Sequence, residues 1–290
     1  MFIKSLSKFN YSRLVFAKAP YVRSTTTGGV EFEIHSQVQK AEHNAHSLES
    51  RQWFLKNKET GSLLSPWHDI ELASRHTDLA NTVSGVIEIT KGTNRKLEVM
   101  KEIEGNPVMQ DYCSVRGQPS HVKQHRSYVK APQFNYGYLP QTWCDNTNGA
   151  NGDGDAIDLV DLSWKEIKPI LAVSDYLVLG VIGLIDQGEM DYKILGMEVN
   201  EASERSIKTL DDYRRFQAGQ LEEIMAWFRD YKTWEGKSQN KFLWNGEIRG
   251  APEAMDLIRE SNDSYKNLLA RPDQCSYWIP NPKRKCEDKK

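Results

Sequence analysis

No stretch of this chain stays apolar for the roughly 20 residues that a membrane-spanning helix needs. The longest apolar run, 176–185, is half that length and contains Gly180 and Gly183. Cysteine is scarce. Cys113, Cys144, Cys275 and Cys286 form no Cys-x-x-Cys pair and no zinc-ligand spacing, so they read as free thiols of a reducing compartment. Neither sign of charge dominates: 38 Lys and Arg stand against 40 Asp and Glu. That balance argues against a general nucleic-acid or membrane-surface binder. Internal repeats are absent as well. What remains is a chain of 290 residues, long enough for one domain with a sizeable core plus extensions.

Acid is missing in one place, the N-terminus. Lys4, Lys8, Arg13, Lys18 and Arg23 precede the first acid, Glu31, among frequent Ser and Thr with interspersed Leu, Val and Phe. A compact apolar core of the secretory kind is lacking. Residues 1–30 therefore read as a mitochondrial transit peptide, with a disordered basic tail as the alternative, and the mature protein as a resident of the mitochondrial matrix. Losing those five charges takes the formal net charge from −2 to −7. Residues 31–275 form the expected folded domain. Residues 276–290, which include Pro280 and end in Lys-Arg-Lys-Cys-Glu-Asp-Lys-Lys, read as a basic disordered tail.

What is there is carboxylate. Residues 151–161 read Asn-Gly-Asp153-Gly154-Asp155-Ala156-Ile157-Asp158-Leu159-Val160-Asp161. Two like charges about 4 Å apart repel by roughly 4 kcal/mol at an effective dielectric near 20. Crowding of this kind calls for a counter-charge, and an all-oxygen donor set suits a hard divalent cation. An acidic solvated turn would show the same residues. Downstream, Tyr176–Ile185 reads as a buried strand and Lys193–Val199 as its partner, with Gln187-Gly188-Glu189 as the turn. Asp191 and Lys193 then project from one face, because strand side chains alternate; a charged hairpin tip is the plainer reading. Lys96 and Glu98 share a face in the same way, with Leu97 and Val99 behind. Val86-Ile-Glu88-Ile shows the same alternation, that of a half-exposed strand.

From 83 to 199 most segments are strand-like, broken by Gly, Pro and Asn. After 208 the period changes. Leu221, Ile224, Met225, Phe228 and Tyr231 recur at helical spacing. Pro252 opens a second helix carrying Met255, Ile258, Tyr265, Leu268 and Leu269. Strands followed by late helices predict an α+β fold. Residues 31–60 are polar and carry no clear period.

Taken in order, these blocks resemble the soluble inorganic pyrophosphatases of the eukaryotic type (family I). The signature Asp-x-Asp-Pro-x-Asp stands here as Asp153-Gly-Asp155-Ala156-Ile-Asp158. The matching blocks are Glu88 to Glu98, Asn135-Tyr136-Gly137 to Trp143, Asp186 to Lys193, and Trp227-Phe228-Arg229-Asp-Tyr231-Lys232. His68-Asp69-Ile70 and Asn106 to Asp111 also fit, and the similarity spans roughly residues 50–270.

The resemblance implies a five-stranded, OB-like closed β-barrel flanked by helices, with the site at its mouth. It implies Mg²⁺-dependent hydrolysis of pyrophosphate, inhibited by calcium and fluoride. Asp153, Asp158 and Asp191 would hold the activating metal and Asp158 would bridge to a second. Asp186 and Asp191 would hold a third, and Glu98 a fourth. Asp155 would be the general base. Lys96, Arg126, Tyr136, Lys193, Tyr231 and Lys232 would bind the phosphates, and Glu88 would line the site. On the plainer reading Tyr231 and Lys232 are a core-edge tyrosine and a solvated lysine.

Two departures stand out. Ala156 replaces the signature proline, whose fixed φ stiffens the turn. Thr90-Lys91-Gly92 stands where this branch commonly has Pro-Arg-Trp, a stretch of its dimer contact, which puts a homodimer in doubt. Three other readings compete. An EF-hand counted from Asp153 would need Gly at 158 and Glu at 164, where Asp158 and Trp164 stand. An OB-like nucleic-acid binder is opposed by the acidic site face. A catalytically weak scaffold that binds a protein partner is the third.

Overall fold

The computed structural model describes residues 25–27, 30–41, 48–74, 76, 80–115, 117–118, 122–147, 150–271 and 276–280. Strands β1 (Thr25–Thr27), β2 (Val30–Ala41), β3 (Leu48–Asn57) and β4 (Leu63–Leu64) come first. Then follow β5 (Thr82–Ile89), β6 (Leu97–Val99), β7 (Val108–Gln110), β8 (Tyr112–Ser114), β9 (Lys123–His125), β10 (Asn135–Tyr138) and β11 (Asp158–Asp161). The long strands β12 (Val173–Asp186) and β13 (Glu189–Glu198) close the strand-rich part. Helices α1 (Val199–Glu204), α2 (Leu210–Phe216), α3 (Gln220–Asp230) and α4 (Ala251–Leu269) follow, with the short strands β14 (Lys241–Phe242) and β15 (Arg249–Gly250) between the last two. The fold is α+β, as the order of periodicities implies.

Five strands carry the core. β5 pairs with β10 and β12, β10 with β11, β11 with β13, and β13 with β12, so the pairings return to their start. The ring is uneven. β12 and β13 pair along their length from Tyr176–Glu198 to Asp186–Glu189, whereas β5 and β10 meet briefly across a register shift at Tyr136/Gly137. Only β11 and β13 run parallel within it. The run 176–185 is a buried strand, as its composition requires. The turn differs by one residue from the expected one. Gln187 and Gly188 alone make it, both at positive φ (53° and 100°), the arrangement that matches strand twist in a two-residue hairpin. Glu189 is the first residue of β13 instead.

β5 is not half-exposed. Val86 and Ile89 pack with Tyr138, Val160 and Leu195, and Val83 and Ile87 pack with Leu159, Tyr176 and Ile258. The strand runs between two apolar clusters, so Glu88 is buried with it. α3 buries Leu221, Ile224, Trp227 and Phe228, and α4 buries Ala254, Ile258, Ser261, Tyr265 and Leu268, with Pro252 in its first turn. Each fully buried large apolar side chain contributes about 1.5–3 kcal/mol.

Within residues 31–60, which carry no readable period, β2 and β3 pair antiparallel from Phe32–Asn57 to Ala41–Leu48. Phe32, Ile34, Ser36 and Val38 of β2 lie opposite Asn57, Leu55, Trp53 and Arg51 of β3. Phe32 and Leu55 are fully buried, but Ser36 and Arg51 on the same face blur the alternation. β3 continues to β7 and β6 in a second sheet, with β4 at the side.

The proposed leader lies largely outside the described residues; its Thr25–Thr27 pairs with β2. Of the expected tail, 276–280 is packed. The Tyr277 hydroxyl donates to the Gly154 carbonyl at 3.2 Å, and the Trp278 N–H donates to the Lys101 carbonyl at 2.7 Å. Residues 281–290 lie outside the described residues. Among the described residues no helix is long and apolar enough to cross a membrane.

The ring's tightest approach is at Gly137, where a β-carbon would overlap the carbonyl oxygen of Val86 and the backbone of Ile87. Gly137→Ala is expected to cost about 1–3 kcal/mol, read as a lower urea midpoint. An unchanged midpoint would show that β5 and β10 can move apart freely.

Candidate active site

Parallel pairing of β11 with β13 sets Asp158 beside Lys193, and alternation along β13 puts Asp191 on the same face. The buried Lys193 ammonium donates to Asp158 and, at 2.5 Å, to Asp191. Burial alone would lower its pKa; the two carboxylates override this and hold it well above the usual lysine value. Tyr136, from β10, lies close enough to Asp158 to favour its ionised form. The Tyr136 and Phe228 rings lie 5.7 and 5.6 Å from the ammonium.

Asp186 ends β12 and meets the end of α3. It accepts from the Tyr231 hydroxyl at 3.2 Å and from the Lys232 ammonium. Burial pushes its carboxyl up, but these donors outweigh burial and hold it below the usual range. Its second oxygen, Oδ1, is buried without a hydrogen-bond partner among the described residues.

A third group is tied through the backbone. The Lys96 N–H donates to the Arg126 carbonyl (3.2 Å), the Asp111 N–H to the Lys96 carbonyl (2.9 Å), and the Arg126 N–H to the Asp111 carbonyl (2.8 Å). The side chains repeat the triangle. Asp111 accepts from Lys96 at 3.2 Å and Arg126 at 2.7 Å, and Arg126 also reaches Glu235 at 3.1 Å. Lys96 also pairs with Glu98. The Arg126 Nε is buried without a hydrogen-bond partner among the described residues.

The aspartate turn completes the set. Gly154 takes φ +79°, and the Asp155 N–H donates to Asp153 Oδ1 at 2.9 Å. The Asp155 carbonyl accepts from the Cys144 N–H (2.7 Å), and the Ile157 N–H donates to Thr142 Oγ1 (3.0 Å). These bonds flank the buried Ala156 and hold the turn where the signature proline is missing. Burial, reinforced by Asp155, Asp191 and Asp158, pushes the Asp153 carboxyl up to about 8. Burial pushes Asp158 up to about 7 against the opposing pull of Lys193, with Asp191 adding to the rise. Glu88 is raised well above its usual value by burial and by Asp158, and accepts from the Val99 N–H at 3.2 Å.

Asp155 is the most open member, its side chain 52% exposed. Its partner is Lys101, which also donates to the Gly154 carbonyl at 2.7 Å. Lys101, Asp111 and Glu235 were not among the sequence candidates. Asp111 lies in a block that matches the family and was open to notice. Lys101 falls off the Lys96–Glu98 alternation, and a turn brings it in. Glu235 is separated from Arg126 by over a hundred residues, so no local pattern marks it.

The carboxylates named here outnumber the cations nine to five. Among the described residues no three His, Cys, Asp or Glu side chains close into a ready-made metal cage. The donor set nevertheless fits a hard divalent cation. All donors are oxygen, Asp186 Oδ1 is an orphan, and Asp153, Asp155, Asp158 and Asp191 repel one another. A magnesium-like ion takes one or two carboxylates and completes its shell with water and substrate oxygen.

A family profile described as inorganic pyrophosphatase matches residues 85–266. The chain belongs to the family I inorganic pyrophosphatases. An inorganic pyrophosphatase of Candida glabrata is 34% identical over 221 residues, 73% of this chain and 74% of that protein. The inorganic pyrophosphatase 2, mitochondrial, of Mus musculus is 33% identical over 234 residues, 73% of this chain and 68% of that protein. The crystal structure of the type I inorganic pyrophosphatase of Toxoplasma gondii aligns with a TM-score of 0.68 at 30% identity. It covers 81% of this chain and 100% of that one. Members of this family are enzymes that hydrolyse diphosphate.

The contacts of the Lys101 ammonium are to Asp155, the Gly154 carbonyl and the Tyr277 ring rather than to the main apolar core, so its loss is expected to act on turnover more than on folding. Lys101→Met should lower kcat about tenfold, or roughly 1.4 kcal/mol, with KM within about twofold and an unchanged melt. Lys101→Arg should restore most of it. Equal losses in kcat for Met and Arg, or a collapsed melt, would reject a positioning role.

Proposed function

We propose that this chain hydrolyses inorganic pyrophosphate to two orthophosphates with Mg²⁺ as the divalent ion. One observation carries the reading: Lys193 sits between Asp158 and Asp191, with Tyr231 and Lys232 on Asp186 beside it. Carboxylates and ammonium groups on one face are what a highly charged anion and its cations need together. Asp153, Asp158, Asp186, Asp191 and Glu98 would hold the ions. When bound, such ions supply positive charge for the phosphoryl oxygens and make water acidic enough to attack at neutral pH.

The chain's own groups have separable tasks. Asp155, open and close to Asp153, takes the proton of the attacking water. Lys96, Arg126, Lys193, Lys232, Tyr136 and Tyr231 bind and orient the phosphates, whose transfer depends on positioning and charge rather than on covalent chemistry. The ammonium groups rest on the carboxylates, Lys193 on Asp158 and Asp191 and Lys232 on Asp186. Glu88, buried beside Asp158 and accepting from the Val99 N–H, lines the site. The uneven five-strand ring supports reading the scaffold as an OB-like barrel with the site at its mouth.

Purified chain should release phosphate from pyrophosphate with Mg²⁺ and fall silent in EDTA, with recovery on adding the ion back. Full activity in EDTA would end the metal reading. Asp155→Asn should depress turnover by about 10²–10⁴ and leave metal affinity near that of the parent, whereas Asp158→Asn should lower both. Calorimetry showing equal losses of affinity in the two variants would undo this division.

We also read residues 1–30 as an import signal for the mitochondrial matrix, in keeping with the mitochondrial relative. Because Thr25–Thr27 is a paired strand, deletion of 1–24 should leave activity intact. Fused to a fluorescent reporter, the first 24 residues should direct it to mitochondria; a diffuse cytosolic signal would reject the signal.

A further inference from the structure

Behind the Lys96–Asp111–Arg126 triangle lies a cavity of about 300 Å³ lined by Val38, Arg51, Trp53, Arg95, Gln110 and His125. Arg95, Gln110 and His125 each precede a triangle residue by one position. In extended chain, successive side chains point to opposite sides, so the same three segments present the active site on one side and this cavity on the other. The wall between them is the ring of backbone bonds joining Lys96, Asp111 and Arg126. Gln110 Nε2 reaches through it to the Arg126 carbonyl at 2.9 Å.

The opposite wall is the inner face of the β2–β3 hairpin, where Arg51 lies across from Val38. Further along, that face buries Phe32 and Leu55. Arg51 therefore sits on an inward face with an uncharged partner, Ser36 Oγ at 3.1 Å. Among the described residues no carboxylate lines the cavity. Two guanidiniums on a space that no described carboxylate lines suit a phosphate group, which their planar forks grip in bidentate fashion. Trp53 and Val38 supply a flat apolar wall beside it. The volume lies at the lower end of the range for small-molecule pockets and exceeds what one inorganic phosphate fills.

We propose that this cavity binds a phosphate monoester carried on a flat ring, of the nucleoside monophosphate class, and that its occupancy changes the grip of Lys96 and Arg126 on substrate. A ligand drawing Arg95 toward Arg51 pulls on the peptide that carries Lys96, and one engaging His125 pulls on that of Arg126. The coupling acts on phosphate binding, because Asp153, Asp155 and Asp158 lie on a separate turn.

The test is calorimetric titration of the full chain in EDTA with adenosine 5′-monophosphate and, separately, with inorganic phosphate, so the outcome is independent of hydrolysis. One saturable site for the nucleotide is expected, about tenfold tighter than for phosphate. Arg51→Ala and Arg51→Lys should each weaken the nucleotide about tenfold, the lysine variant retaining charge and native circular dichroism. Trp53→Leu should weaken the nucleotide and leave phosphate unchanged. Absence of saturable binding, or undiminished binding in both Arg51 variants, overturns the site. Equal affinity for phosphate and nucleotide overturns the ring subsite. In pyrophosphate hydrolysis the nucleotide should shift KM about fivefold with kcat unchanged; a constant KM overturns the coupling.

Discussion

Mutual repulsion of carboxylates is the constraint on which the site depends. Burial, with Asp155, Asp191 and Asp158 close by, pushes the Asp153 carboxyl up, and burial with Asp191 does the same to Asp158 against the pull of Lys193, so the cluster needs positive charge within it. Lys193 meets that need from within the fold. Its ammonium is held by the parallel register of β11 and β13, the one parallel contact in the ring. An uncompensated charge there would cost several kcal/mol. The register, the buried lysine and the acids that surround it therefore form one unit.

Around that unit the fold uses backbone bonds more than rigid residues. The aspartate turn holds its course through Cys144 and Thr142 although Ala156 stands in place of proline. Lys96, Asp111 and Arg126 come from three separate segments, and a closed ring of backbone hydrogen bonds brings them together. α3 delivers Tyr231 and Lys232 at its end because Leu221, Ile224, Trp227 and Phe228 anchor its apolar face. Lys96 and Arg126 are thus placed by backbone hydrogen bonds, and Lys232 by the packing of α3.

The C-terminal segment 276–280 belongs to the same arrangement. Tyr277 and Trp278 bond to Gly154 and Lys101, next to Asp155. Lys101 Nζ also lies 5.2 Å from the centre of the Tyr277 ring. A segment that reads from its polar composition as a tail thereby contacts the turn that bears the proposed base. Composition reports the average polarity of such a segment and is blind to the two aromatic side chains that decide its packing.

By itself the sequence determined the elements whose burial is periodic or continuous: the strand at 176–185, the pairing of 186–198, and the helices built on Leu221–Tyr231 and Pro252–Leu269. It also showed carboxylates crowded at short spacing from Asp153 to Asp161, and the family to which those blocks belong. Only the tertiary structure decided the rest. The 30–57 hairpin escaped notice because Arg51 and Ser36 interrupt its inner face. Glu88 looked half-exposed because alternation cannot tell that both faces of a strand are covered. Lys101, Glu235 and the cavity behind Lys96 depend on contacts between distant segments. Local pattern records what a residue prefers; which residues meet across a hundred positions is set by the closure of the sheet.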